Sequence, residues 1–233
     1  MGRAKTMYPL RGIFTDLLEH TEKKSFLIPT YQRGYKWTSL EENSQVEQLM
    51  KDLFQACEKK KARYYLQFIT IKENGDSLEI IDGQQRLTTL TILFSVFAHL
   101  KIMREDSFVK NKLDYQVRAN FLQRYVYANL DAILTATDWN AFLDAHDTEE
   151  LNINNQDVYF IFHATKAMDS FIRLIGDEGS KLNFFKYICE KVYLIVNPLE
   201  QEMNSEKIFI NVNKGVKLKE ITLPIFETKR PVS

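Results

Sequence analysis

Apolar and polar positions follow three rhythms along this chain, and each predicts a kind of element. Val46, Leu49, Met50, Leu53, Phe54 and Cys57 recur three and four apart, the spacing of one helix face. Ser39 and Glu42 stand ahead of that run as a capping box, and the basic run EKKKAR suits the helix C-terminus. RYYLQFITIK and SLEIID then read as strands, and Asn74-Gly75 between them predicts a hairpin. Upstream, FLIPTYQRGYKW (26–37) reads as extended, because Pro29 keeps Ile28 out of helical geometry. From 88 to about 190 the pattern is mostly helical: LTTLTILFSVFAHL as a buried helix, then QVRANFLQRYVYANL and DVYFIFHATKAMDSFIRLIG, the last with Gly176 as C-cap. VYLIVNPL (192–199) reads as a buried strand and SEKIFINVNKG as a short helix running into a glycine turn.

These elements predict an α+β fold. A small mixed sheet with helices occupies the N-terminal part, 1–105, and a mostly helical part, 106–233, follows. A chain of 233 residues that is 45% hydrophobic has ample material for a core, and 8 Gly and 5 Pro leave little room for disorder. The formal net charge of zero excludes a global pull toward nucleic acid or membrane. Charge is unevenly placed, however. Residues 1–75 carry thirteen Lys/Arg against nine Asp/Glu, and 131–160 carry seven Asp/Glu with no Lys or Arg. Cys57 and Cys189 lack metal spacing and read as reduced core residues of a cytoplasmic protein. The most apolar segment, 87–103, is broken by three threonines and His99, which fits a buried helix better than a membrane span.

Two clusters carry candidate chemistry. The first is DGQQR, 82–86, between a strand and an apolar helix. A helix N-terminus offers unpaired N–H groups and partial positive charge, which bind phosphate. Gly83 permits a tight turn, and Arg86 supplies a charged fork for phosphate oxygens. Gln84 and Gln85 are able to orient a water or hold a sugar or base, and Asp82 to help hold Mg²⁺. Thr88 and Thr89 bring hydroxyls to the first turn. The competing reading is a structural turn in which Asp82 caps the helix. The second cluster is YQRGYKW. In an extended chain Tyr31, Arg33, Tyr35 and Trp37 share one face, with Gln32 and Lys36 on the other, giving either a base-stacking surface or a strand packed into the core. Neither a Walker A pattern nor a GxGxxG is present, and His20, His99, His146 and His163 are scattered without metal spacing.

IPTYQRGYKW followed by IDGQQRLTTL resembles the N-terminal domain of GmrSD-type restriction enzymes, a type IV, modification-dependent family marked by DGQQR and similar to the ParB and sulfiredoxin-like fold. The likeness extends through KIFINVNKGVKL to about residue 223. It implies binding and hydrolysis of a nucleotide (GTP, ATP or CTP, with Mg²⁺) in defence against modified foreign DNA. Asp82, Gly83, Gln84, Gln85 and Arg86 would form the nucleotide site, with Tyr31, Gln32 and Arg33 against it. Three positions depart from the family pattern. Gln67 stands where Gly is frequent, one residue is missing between Asn213 and Gly215, and Thr222 replaces an Asp. Many relatives continue into a His-Asn-His nuclease. This chain ends at Ser233 without one, so the expectation is a regulatory or specificity subunit that acts with a separate nuclease. The alternatives are a nucleotide switch or DNA-binding module without turnover, and a degenerate relative.

Overall fold

The computed structural model describes residues 6–40, 44–103, 108–118, 120–149 and 152–213. Six strands form one sheet: β1 (Met7–Pro9), β2 (Ser25–Ile28), β3 (Tyr64–Asn74), β4 (Ser77–Asp82), β5 (Leu113–Tyr115) and β6 (Val192–Pro198), in the order β1-β6-β3-β4-β2-β5. β3 and β4 are the predicted hairpin, antiparallel and joined through Gly75-Asp76. β2 runs parallel to β4 and β5, β3 runs parallel to β6, and β1 closes the edge antiparallel to β6. The sheet is therefore mixed and the fold is α+β.

The helices are α1 (Leu10–Phe14), α2 (Asp16–His20), α3 (Gln45–Glu58), α4 (Gln84–His99), α5 (Leu130–Thr135), α6 (Trp139–His146), α7 (Gln156–Leu174), α8 (Glu178–Lys191) and α9 (Ser205–Asn213). The axis of the molecule is α4, in which 13 of 16 residues are buried. A helix apolar on every side belongs inside a core. Phe94 meets Phe14 and Phe108, Phe97 meets Phe184 and Phe185, and α7 packs alongside. One continuous hydrophobic cluster runs from Tyr8 to Val196, and β5 and β6 lie in the same sheet as the strands that precede residue 105. Cys57 and Cys189 are free and buried, and burial pushes the Cys189 thiol up to about 12.

Four local expectations are corrected. The segment 26–37 is a strand only as far as Ile28; beyond Pro29 it becomes an irregular loop held by side chains. The helix α3 starts at Gln45, and its first residue reaches back so that Gln45 Oε1 accepts the Thr38 N–H at 3.1 Å. That bond takes the place expected for the Ser39–Glu42 box, of which Glu42 lies outside the described residues. QVRANFLQRYVYANL is not one helix. Asp114 accepts the N–H groups of Tyr115, Asn120 and Phe121, which fixes a turn there, and only a π-helical turn at Gln123–Tyr127 follows. Finally, α7 ends through Ile175 in extended geometry, and Gly176 is not left-handed.

Candidate phosphate cleft at the start of α4

Strand β4 ends at Asp82, and α4 begins at Gln84. Gly83 between them has φ 98°, and a Cβ there would lie 2.6 Å from Ile69 Cγ2. Backbone conformation and space both demand glycine. No side chain caps the helix, so Asp82 does not play the capping part. The N–H groups of the first turn stay available for a ligand.

A cleft of about 170 Å³ opens at this point, lined by Gln32, Arg33, Trp37, the run from Asp82 to Arg86, and Phe209. Both sequence motifs thus reach one place. Gln32 donates through Nε2 to Ile80 O and, at 3.1 Å, to Ile81 O. Two carbonyl acceptors fix the orientation of that amide, leaving Gln32 Oε1 buried without a partner. Gln84 Oε1 is likewise buried and unpartnered. Gln32 and Gln84 are only 8% and 6% exposed, so each side-chain oxygen is buried without a protein partner. Arg33 is exposed and makes no ion pair or hydrogen bond among the described residues. The Asp82 carboxylate accepts no hydrogen bond among them, although its charge acts on Arg86.

The two remaining motif residues are already engaged. Gln85 Nε2 donates to Gly34 O at 2.8 Å, and its Oε1 accepts the Lys36 N–H at 2.8 Å. Gln85 therefore clamps the YQRGYKW loop and has no free end to orient a water. Arg86 donates to Phe68 O at 2.9 Å and to Gln67 Oε1 at 2.5 Å, tying α4 to β3. Burial lowers the pKa of its guanidinium, against the opposing charge of Asp82.

Several expected site residues stand elsewhere. Because α4 begins at Gln84, Thr88 and Thr89 fall a turn deeper and are fully buried. Thr88 bonds the Tyr115 hydroxyl at 2.8 Å and Thr89 the Tyr35 hydroxyl at 2.9 Å. Tyr35 belongs to the core, so the alternating stacking face of YQRGYKW does not form; Trp37 alone of the two stacking candidates lines the cleft. Tyr31 stands just behind it, donating to Glu79 Oε1 at 2.6 Å and packing on Phe209 with ring centroids 5.4 Å apart. Burial, followed by the Glu79 contact, raises the Tyr31 hydroxyl above its usual value.

Phe209 and Asp157 are contributors the sequence did not single out. Phe209 arrives on α9, within the KIFINVNKG segment; Val212 onward lies outside the residues whose side chains are described. Asp157 opens α7 and presses on Gly34, where a Cβ would stand 2.0 Å from Asp157 Oδ1. Arg118 pairs with Asp157 at 2.6 Å, yet burial outweighs that pairing and the Asp157 carboxyl is raised. Phe209 lies in the KIFINVNKGVKL segment that carries the later part of the likeness, whereas Asp157 stood in no motif; contact across the fold brings both to the site.

A larger groove of about 530 Å³ lies elsewhere, lined by Arg11, Lys101, Phe108, Leu182, Phe185 and Lys186 among others. Neither motif reaches it, and none of its lining side chains is a buried, unpartnered polar group. Among the described residues no three His, Cys, Asp or Glu cluster as a metal site, and no helix is long and apolar enough to cross a membrane. The four histidines lie on α2, α4, α6 and α7.

No curated protein matches the chain. The sequence model of the GmrSD restriction endonuclease N-terminal domain matches residues 14–223, spanning both motifs, α4, the sheet from β2 onward and α9. The chain belongs to the GmrSD restriction endonuclease N-terminal domain family, which gives it a role in a restriction system directed against foreign DNA.

Proposed function

We propose that the cleft binds the phosphates of a nucleoside triphosphate (GTP, ATP or CTP) with Mg²⁺, and that the chain is the nucleotide-hydrolysing regulatory or specificity subunit of a modification-dependent restriction system. One observation carries this reading: Arg33, exposed and unpaired among the described residues, stands at the uncapped N-terminus of α4 beside two buried amide oxygens, of Gln32 and Gln84, that lack partners. Guanidinium and helix N–H groups suit phosphate oxygens. The Gln32 oxygen, whose orientation is fixed, suits a hydroxyl or amine donor on the sugar or base. A cleft of about 170 Å³ is smaller than the roughly 300–1,000 Å³ of pockets that enclose a whole small molecule. It fits the phosphates, with sugar and base over the rim near Trp37 and Phe209.

Mg²⁺ fits the donors present. The Asp82 carboxylate lines the cleft and accepts no hydrogen bond among the described residues, and Mg²⁺ takes one or two carboxylates together with substrate phosphates. Bound there, it would neutralise phosphate charge. In hydrolysis a water attacks the terminal phosphorus and the bond to the bridging oxygen breaks, giving diphosphate nucleotide and inorganic phosphate. Gln84 is the glutamine with an end free to orient that water, since Gln85 is occupied. Cleavage of DNA would fall to a His-Asn-His nuclease centre, which the four dispersed histidines do not form.

A second reading, a nucleotide switch without turnover, is favoured by the Gln85 clamp, which couples the start of α4 to the loop that carries Arg33. Phosphate release from each triphosphate with Mg²⁺ separates the two. Release by the wild type that Gln84→Ala abolishes supports hydrolysis. Binding without release supports the switch.

A further inference from the structure

The sheet is covered unevenly. On one face Leu66, Ile69, Leu194 and Val196 join the core. On the other, the end of the sheet where β3 and β6 begin is bare among the described residues: Tyr65 is 50% and Ile195 43% exposed, and Gln67 is exposed beside them. Further along the same strands, Leu199 and α9 cover this face through Ile81 and Ile208. Tyr65 and Tyr193 are directly paired neighbours with ring centroids 6.0 Å apart, and the Arg63 guanidinium lies over the Tyr193 ring at 5.4 Å.

Because β3 and β6 are parallel, both chains enter at this end, and each brings cations. Lys59, Lys60, Lys61 and Arg63 precede β3, Lys191 precedes β6, and all five are exposed. Glu58 and Glu190 are the exposed acidic neighbours in sequence, so positive charge dominates locally although the whole chain is neutral. The bare face also adjoins the cleft, since Gln67, two residues beyond Tyr65, accepts the Arg86 hydrogen bond.

We propose that this end of the sheet binds single-stranded nucleic acid, with bases stacking on Tyr65 and Tyr193 and phosphates meeting Lys59, Lys60, Lys61 and Arg63. The exposed Tyr65 ring, beside the Arg63-capped Tyr193 ring and a row of cations, matches unstacked bases on a polyanion, whereas a duplex hides its base faces. A protein partner for this apolar surface would leave the collected cations unused. The assignment is independent of the nucleotide cleft: Tyr65 and Tyr193 do not line it.

The test is fluorescence anisotropy of the full chain with a labelled single-stranded oligodeoxynucleotide of about 20 residues, against the same sequence as duplex. Tyr65→Ala with Tyr193→Ala is expected to weaken single-strand binding about tenfold or more, while Tyr65→Phe with Tyr193→Phe retains it and melting temperatures stay close. Lys59→Glu with Lys60→Glu, a change confined to exposed side chains, is expected to weaken binding and flatten its salt dependence. No single-strand binding by the wild type, preference for duplex, or unchanged affinity in the alanine pair overturns the proposal. So does sedimentation showing that the alanine pair converts a dimer to a monomer.

Discussion

Gln85 and Lys36 are joined by a 2.8 Å hydrogen bond in which the side-chain oxygen of the first accepts the backbone N–H of the second. The other end of the same amide donates to Gly34 O, so one side chain takes the place of two strand-like bonds. That contact explains how an irregular loop after Pro29 holds Arg33 and Trp37 at the start of α4. It also changes what DGQQR means: its second glutamine positions the loop from the wall of the cleft.

Gln85→Ala therefore releases the loop. With two bonds lost and a backbone carbonyl and N–H left to find water, the expected loss of stability is about 1–3 kcal/mol. Urea denaturation measures it. Emission from Trp37, which lines the cleft, should shift as the loop loosens even where the fold persists.

Gly83→Ala sets a side chain at φ 98° and drives its Cβ to 2.6 Å from Ile69 Cγ2. Strain and overpacking together should cost about 2–4 kcal/mol, seen as a lowered denaturation midpoint. Gly75→Ala is the contrast. It also has positive φ but meets nothing within 4 Å, so about 1 kcal/mol is expected.

Arg118 and Asp157 give a pH signature. The Asp157 carboxyl is raised, chiefly by burial, so the folded chain holds its proton more tightly than the unfolded chain does. Stability from this group is full at low pH and is lost as pH rises from the ordinary carboxylate range through the raised value. Arg118→Ala removes the charge that opposes the shift, so the loss deepens. At pH 7 the variant should be less stable by about 1–3 kcal/mol, because Arg118 is itself partly exposed, and the gap should narrow on acidification. Melting curves between pH 4 and about 8 test the sign. A gap that widens toward acid would contradict it.

Arg33 and Arg86 should behave differently. Arg33 contributes no described bond, so Arg33→Ala is expected to leave melting unchanged. Arg86→Ala breaks the bonds to Phe68 O and Gln67 and is expected to destabilise the fold by about 1–3 kcal/mol in addition to any effect on ligand. Thermal melts of the two variants side by side distinguish a ligand-facing arginine from one that also holds the sheet.

Much of this was legible in the sequence, and the failures have physical causes. The β3–β4 hairpin, the α3 face and the all-round apolar α4 followed from local periodicity and turn chemistry. Asp82 to Arg86 at a strand-to-helix junction could be read from the glycine between a strand and a helix pattern. Burial of Thr88 and Thr89 could not be read while the helix start was placed three residues late, at Leu87. The alternation drawn for YQRGYKW assumed a regular strand; the loop is instead set by Gln85 and Asp157, residues distant in sequence. The turn at Asp114 overrode a helical pattern through three side-chain bonds. The Gln67 departure acquires a role only in three dimensions, as the acceptor for Arg86.

The most direct measurement is calorimetric titration of the full chain with GTP, ATP and CTP in the presence of Mg²⁺, beside Arg33→Ala of equal melting temperature. Binding of at least one triphosphate by the wild type, lost or weakened about tenfold or more in Arg33→Ala, is the predicted result. No binding by the wild type, or the same affinity in the variant, would contradict a phosphate site at the start of α4.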